Sequence, residues 1–169
     1  AEFIWYKNTK LPRYDLLVLP GGFAFGDRFY TKATGSYRID PGALAIHSPV
    51  LKAVRLASRS GAPILGICNG FQILVKAGLL PGKLAQNVSK KFFCDYVRCK
   101  VGGVSFFGDP SMQGKTFNIP VAHGYGRYEI SKNQLQKLEQ SGQVFLKYSS
   151  FNPNGSVSGI AGVSNEQKT

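Results

Sequence analysis

Acidic residues are scarce in this 169-residue chain: nine Asp and Glu stand against 21 Lys and Arg, a formal charge of +12 at neutral pH. No run of about 18 apolar residues occurs, so no segment reads as a membrane-spanning helix. The opening AEFIWYKNTK lacks the apolar core of a secretory signal. Cysteine is limited to Cys68, Cys94 and Cys99, an odd number without metal-site spacing. That argues against a disulfide framework and for reduced thiols in a cytoplasmic protein. The positive charge is not accompanied by a helix-turn-helix, an aromatic RNA-binding motif or a zinc knuckle, and its cations are scattered, with Lys90-Lys91 as dense as they become. It reads as a solvated basic surface, or as a face that docks on an acidic partner subunit, and no nucleic-acid or membrane partner is expected. Internal repeats and low-complexity linkers are also missing.

What is present is an ordinary globular balance, 43% hydrophobic and 18% charged with 20 glycines, on a chain long enough for one well-buried domain spanning 1–169. In YDLLVLPGG (14–22) a continuous apolar run, Leu16 to Leu19, is stopped by Pro20-Gly21-Gly22. Such a run suits a strand buried on both faces, the habit of parallel sheets. Ser48-Pro49 predicts an N-cap with proline at the first helical position, Val50, Leu51, Val54 and Ala57 a helical stripe, and Gly61 a stop. A second strand follows over Ile64–Ile67, then a helix carrying Phe71, Leu74 and Val75 to Gly78. Strand-helix-strand-helix in this order predicts crossover units and a parallel sheet flanked by helices. Beyond it, 91–101, 115–124 and 143–149 read as strands, 131–142 as a short helix between Ser131 and Gly142, and NPNGS (152–156) as a turn. Both ends look abrupt: the chain opens in what reads as mid-strand around Trp5, and Gly159–Val163 reads as a strand followed by a turn.

PILGICNGFQIL (63–74) is where chemistry enters. Cys68 stands between a strand's C-terminal end and a helix's N-terminus. The orphan amides and dipole of a helix start favour a thiolate there, and a tight turn projects the sulfur out of the sheet. Gly66 and Gly70 keep bulk away at the −2 and +2 positions. The N–H of Asn69, next in the chain, is placed to help bind an oxyanion. Alone, a G-x-C-x-G pattern is weak evidence and favours a buried core thiol over a catalytic one. LPGGFAFGD (19–27) adds a second glycine-framed strand end, whose Gly21-Gly22-Phe23 amides are candidates to complete the hole. In open parallel sheets, ligands sit at such C-terminal edges.

Taken in order, VLPGGFAFGD, PILGICNGFQIL, IPVAHGYGRY and NPNGS with IAG resemble the triad-type (class I) glutamine amidotransferases of phosphoribosylformylglycinamidine synthase, over nearly the whole chain. The resemblance implies a flavodoxin-like α/β fold with a central, mostly parallel sheet and an antiparallel extension. It implies that Cys68 attacks the carboxamide of glutamine to form a thioester, with oxyanion contacts from Gly22, Phe23 and Asn69. Gln72 would help hold glutamine, and His123 and Gly124 would line its pocket. Ammonia would pass to a synthetase partner that amidates formylglycinamide ribonucleotide in purine biosynthesis. ATP and magnesium belong to that partner, and no cofactor or metal is expected in this domain.

The pattern departs from the family in three ways. The His and Glu that complete the triad in a PHPE-like motif are not among these 169 residues, and His47 and His123 do not match them. The family's first strand and helix are likewise expected before Ala1. Tyr125 stands where the family has the glutamate of HGEGR, and the 28–40 connection, rich in Arg, Lys and Tyr, is long. A chain without the His-Glu pair is expected to turn over little glutamine. A module that docks on the synthetase without hydrolysing glutamine is the alternative reading.

Overall fold

The computed structural model describes residues 1–22, 41–103 and 109–169, in two compact units, 1–79 and 80–169. Phe23 and the 28–40 connection lie outside the described residues.

In the first unit, β1 (Leu17–Leu19) pairs in parallel with β2 (Ile64–Gly66), Leu17 opposite Ile64 and Leu19 opposite Gly66. Helices α1 (Pro41–His47) and α2 (Pro49–Arg59) lie between them in the chain, and α3 (Asn69–Lys76) follows β2. Ser48 caps α2 as its sequence predicts. Its Oγ accepts the Leu51 N–H at 3.3 Å and donates to the Ala45 carbonyl at 2.8 Å, so one hydroxyl ends α1 and begins α2. Pro49 occupies the first turn, where its missing N–H costs nothing. The apolar stripe of α2 supplies Leu51 and Val54 to a core completed by Ala45, Ile73 and Ala77, with Leu19 and Ile64 packed against it. The opening residues are not a strand. Asn8 N–H closes a turn on the Trp5 carbonyl, and Val50 N–H reaches the Tyr6 carbonyl. The apolar Phe3-Ile4-Trp5-Tyr6 run looks strand-like, but the polar Lys7-Asn8-Thr9-Lys10 stretch breaks it before a ladder can form.

The second unit is antiparallel. A ribbon pairs β3 (Lys83–Ala85) with β6 (Arg127–Glu129), and a four-stranded sheet runs in the order β5 (Thr116–His123), β4 (Phe93–Val101), β7 (Val144–Tyr148), β8 (Ile160–Val163). Helix α4 (Lys132–Gln140) starts at Ser131, whose Oγ accepts the Gln134 N–H, and its chain leaves through Gly142 at φ +68°. The α/β class holds. Among the described residues its parallel part is the β1–β2 ladder, and the antiparallel extension is the larger portion.

Candidate functional site

Cys68 sits between β2 and α3 with φ 51° and ψ −107°, a conformation that L-residues adopt only under constraint. The constraint is local and can be named. Ile67 N–H extends the parallel ladder to the Leu19 carbonyl at 3.0 Å, while Gly70 N–H turns back to the Ile67 carbonyl at 2.8 Å. Gln72 N–H then takes the Cys68 carbonyl at 3.0 Å, which starts the helix. The chain therefore leaves a strand and enters a helix across a single residue, and that residue is exposed. This is the geometry of a nucleophile elbow.

The two glycines flanking the elbow are there for space. A Cβ on Gly70 would run into the Leu19 carbonyl, and one on Gly66 would meet both the Leu74 side chain and the Gly70 backbone. From the other side, Gly21 of the loop after β1 lies so near that a Cβ on it would stand 3.2 Å from the Cys68 Cβ. Gly22 follows at φ +135°, where a side chain would be strained. Of the paired glycines, Gly21 is thus the one that lies beside Cys68. Phe23, their proposed companion, lies outside the described residues.

Asn69 is the first residue of α3, so its N–H belongs to the turn that the helix itself leaves unsatisfied. Its side chain is buried and donates from Nδ2 to Gln72 Oε1 at 2.8 Å. Gln72, 5% exposed, is thereby tied to the residue after Cys68, one helical turn from the elbow. The first unit thus brings together Gly21, Cys68, Asn69 and Gln72, and Gly22 is next to Gly21 in the chain.

His123 and Gly124 belong to the second unit, at the C-terminal end of β5. The His123 ring lies near the Phe93 ring, with centroids 6.4 Å apart and 29° between planes, and the Asn154 amide is 3.4 Å from Nε2. A Cβ on Gly126 would stand 2.7 Å from the imidazole. His47, the other histidine, is exposed at the end of α1. Two residues around His123 escaped the sequence reading, Asn87 and Asn154, each 1% exposed. NPNGS was legible only as a turn, and nothing in NVSKKF marked Asn87 as buried. Beside Asn154, burial and the neighbouring Cys99 push the Tyr148 phenol up to about 12, against the pull of its hydrogen bond with Asn154.

No cluster of His, Cys, Asp and Glu able to hold a metal ion occurs among the described residues, and none of their helices is long and apolar enough to cross a membrane.

Residues 3–167 match the CobB/CobQ-like glutamine amidotransferase domain. The chain is 44% identical to the phosphoribosylformylglycinamidine synthase subunit PurQ of Thermomicrobium roseum, over 99% of this chain and 70% of that protein. It is 40% identical to the subunit of the same name from Aquifex aeolicus, over 99% of this chain and 73% of that protein. Among solved structures it is similar to a chain in the structure of PurLQS from Thermotoga maritima, with TM-score 0.76 and 38% identity, covering 94% of this chain and 66% of that one.

Proposed function

The chain belongs to the CobB/CobQ-like glutamine amidotransferase family, and from that premise we propose how its residues serve as the glutaminase component of phosphoribosylformylglycinamidine synthase. One observation carries the assignment: the exposed Cys68, at φ 51°, joins a strand to a helix with Gly21 packed against it.

The sulfur of Cys68 attacks the side-chain carbonyl carbon of glutamine, and the oxygen takes up the negative charge. Backbone amides of Gly22, Phe23 and Asn69 receive that charge, where preorganised donors contribute most to the rate. Collapse of the tetrahedral species expels ammonia, which carries away a proton, and leaves a γ-glutamyl thioester. Water then cleaves the thioester to glutamate and regenerates the thiol. Gln72 orients the substrate from α3. A base must take the thiol proton and later activate the water; in the family this role falls to the His of the PHPE-like motif. The exposed His47 and the packed His123 are not proposed for it. Ammonia passes to a synthetase partner, which supplies the ATP and magnesium chemistry in the cytoplasm. This component needs no cofactor of its own.

Alkylation by a diazoketone analogue of glutamine tests the site directly, because it requires the thiol and the pocket. Peptide mapping is expected to place the label on Cys68. Cys99 is buried, and burial pushes its thiol up, away from the reactive form. Cys94 is exposed on β4 without an elbow. Labelling of Cys94 or Cys99 with Cys68 unmodified would overturn the assignment.

A further inference from the structure

Asparagine followed by glycine is a chemically labile pair, because no side chain on glycine shields its nitrogen from the asparagine carboxamide. The chain contains this pair twice, at Asn69-Gly70 and at Asn154-Gly155. In such a pair the glycine nitrogen attacks the side-chain carbonyl carbon. A ring N–C bond forms, the bond to the side-chain nitrogen breaks, and that nitrogen leaves as ammonia with the glycine proton. Water then opens the succinimide at either carbonyl, giving aspartate or an isoaspartate whose main chain is one carbon longer.

Neither pair can be exchanged for a more durable one within this fold. A Cβ on Gly70 would run into the Leu19 carbonyl, and Gly155, at φ +80°, has the Val88 side chain where its Cβ would stand. The asparagines are equally committed. Asn69 is 4% exposed, and its Nδ2 donates to Gln72 Oε1 at 2.8 Å. Asn154 is 1% exposed, donates from Nδ2 to the Gly126 carbonyl at 2.8 Å, and accepts at Oδ1 from the Ser156 N–H at 3.0 Å and the Ser156 Oγ at 2.7 Å. Asn87 closes on the same turn, with Nδ2 on the His123 carbonyl at 2.9 Å and Oδ1 on the Gly126 N–H at 3.1 Å.

Both attacking nitrogens are also held. The Gly70 N–H donates to the Ile67 carbonyl at 2.8 Å, and the Gly155 N–H donates to Asn152 Oδ1 at 3.0 Å. Ring closure requires that N–H to give up its proton and the carboxamide to rotate out of its hydrogen bonds. In a buried site no water replaces those bonds, so closure has to wait until the segment opens. We propose that Asn69-Gly70 and Asn154-Gly155 are latent modification sites, converted to succinimide and then isoaspartate whenever their segments open and protected while they are closed. The folded chain does not accept the products. An aspartate at position 154 would bring a carboxylate against the Gly126 carbonyl with no proton to offer. An isoaspartate at position 69 would lengthen the main chain beside Cys68. Opening that ends in ring closure is therefore irreversible, and the elbow and the 152–156 turn each age at a rate set by their own local opening.

The test incubates the full chain at neutral pH, folded and in urea, and maps isoaspartate by enzymatic methylation and peptide mass spectrometry. In urea these two asparagines are expected to convert ahead of all the others. In the folded chain each is expected to convert at least about a hundredfold more slowly, following the population of the open form. Equal rates in the two conditions at either site would overturn the proposal, and so would asparagines that stay intact in urea.

Asn152 gives a variant aimed at the attacking nitrogen. It is exposed, and its Oδ1 accepts both the Gly155 N–H and, at 3.2 Å, the Ser156 N–H. Asn152→Ala is expected to speed conversion of Asn154 in the folded chain about tenfold while Asn69 keeps its wild-type rate. Asn152→Asp retains an acceptor oxygen and is expected to keep the protection. A wild-type rate at Asn154 in Asn152→Ala would overturn the part given to the glycine N–H. Should that variant not fold, Asn69 would speed up as well, and the comparison of folded and urea-treated wild type still decides.

Discussion

At the scale of single residues, the elbow stores strain that the surrounding hydrogen bonds impose. A non-glycine residue at φ 51° and ψ −107° costs about 1–3 kcal/mol. Glycine escapes this cost but adds unfolded-chain entropy. Cys68→Gly is therefore expected to be more stable than Cys68→Ala by about 1 kcal/mol, with both inactive. Urea unfolding of the two variants checks this, and equal midpoints would mean that the elbow is unstrained. Gly70 carries the opposite expectation. A methyl group there has nowhere to go but the Leu19 carbonyl, so Gly70→Ala is expected to cost about 3 kcal/mol by pushing β1 away from the start of α3. Cys68, Gly66 and Gly70 could be read from the sequence because close approach at a turn demands a particular residue type. Asn87 could not, because what distinguishes it is the company it keeps, the carbonyls of His123 and Lys91, and neither the 36-residue separation nor its burial leaves a local mark.

At the scale of elements, helix starts carried the clearest local signal, and the two caps differ in what they hold. Ser48 is buried and links α1 to α2 through two hydrogen bonds, whereas Ser131 caps α4 at an exposed position. Ser48→Ala is expected to cost about 1.5 kcal/mol and Ser131→Ala about 0.5 kcal/mol, both within the usual range for such caps. Thermal melts of the pair would check the order, and a larger loss at Ser131 would contradict it. Strands were legible where they were long. Residues 93–101, 116–123 and 144–148 all fall within segments read as strands, but the three-residue β3–β6 ribbon was not foreseen. Lys83, Leu84 and Ala85 have no β propensity to speak of. They are extended because Lys83 meets Glu129 across the ribbon at 3.2 Å, with Arg127 of the same strand holding that carboxylate at 2.8 Å, and because Leu84 is buried opposite Tyr128.

At the scale of the whole molecule, stability at high pH follows from buried phenols. Tyr128 is 1% exposed, its hydroxyl donates to the Pro81 carbonyl at 2.9 Å, and burial holds its ionisation well above the ordinary tyrosine range. Tyr148 is pushed up to about 12. Both phenols keep their protons in the fold at a pH where the unfolded chain, with tyrosines near about 10, releases them. Above that point unfolding releases protons, so stability falls with rising pH. It is expected to be insensitive to tyrosine ionisation below pH 10 and to drop from about 10 towards about 12. In Tyr128→Phe the drop is expected to be shallower, at a cost of about 1 kcal/mol near neutrality for the lost hydrogen bond. Urea titrations across that range would decide, and a slope identical to wild type would exclude the phenol as a cause. The same contrast between local and distant causes divides what could be known in advance. Sequence by itself determined the α/β class, the helix caps and the turn at Cys68, because capping, apolar periodicity and turn sterics act over a few neighbouring residues. Only the tertiary structure decided that Gly21 lies against Cys68, that among the described residues the antiparallel part outweighs the parallel ladder, and that two distant asparagines close on one turn. Those contacts join segments tens of residues apart, and burial, which gives each its energy, exists only after the chain has folded.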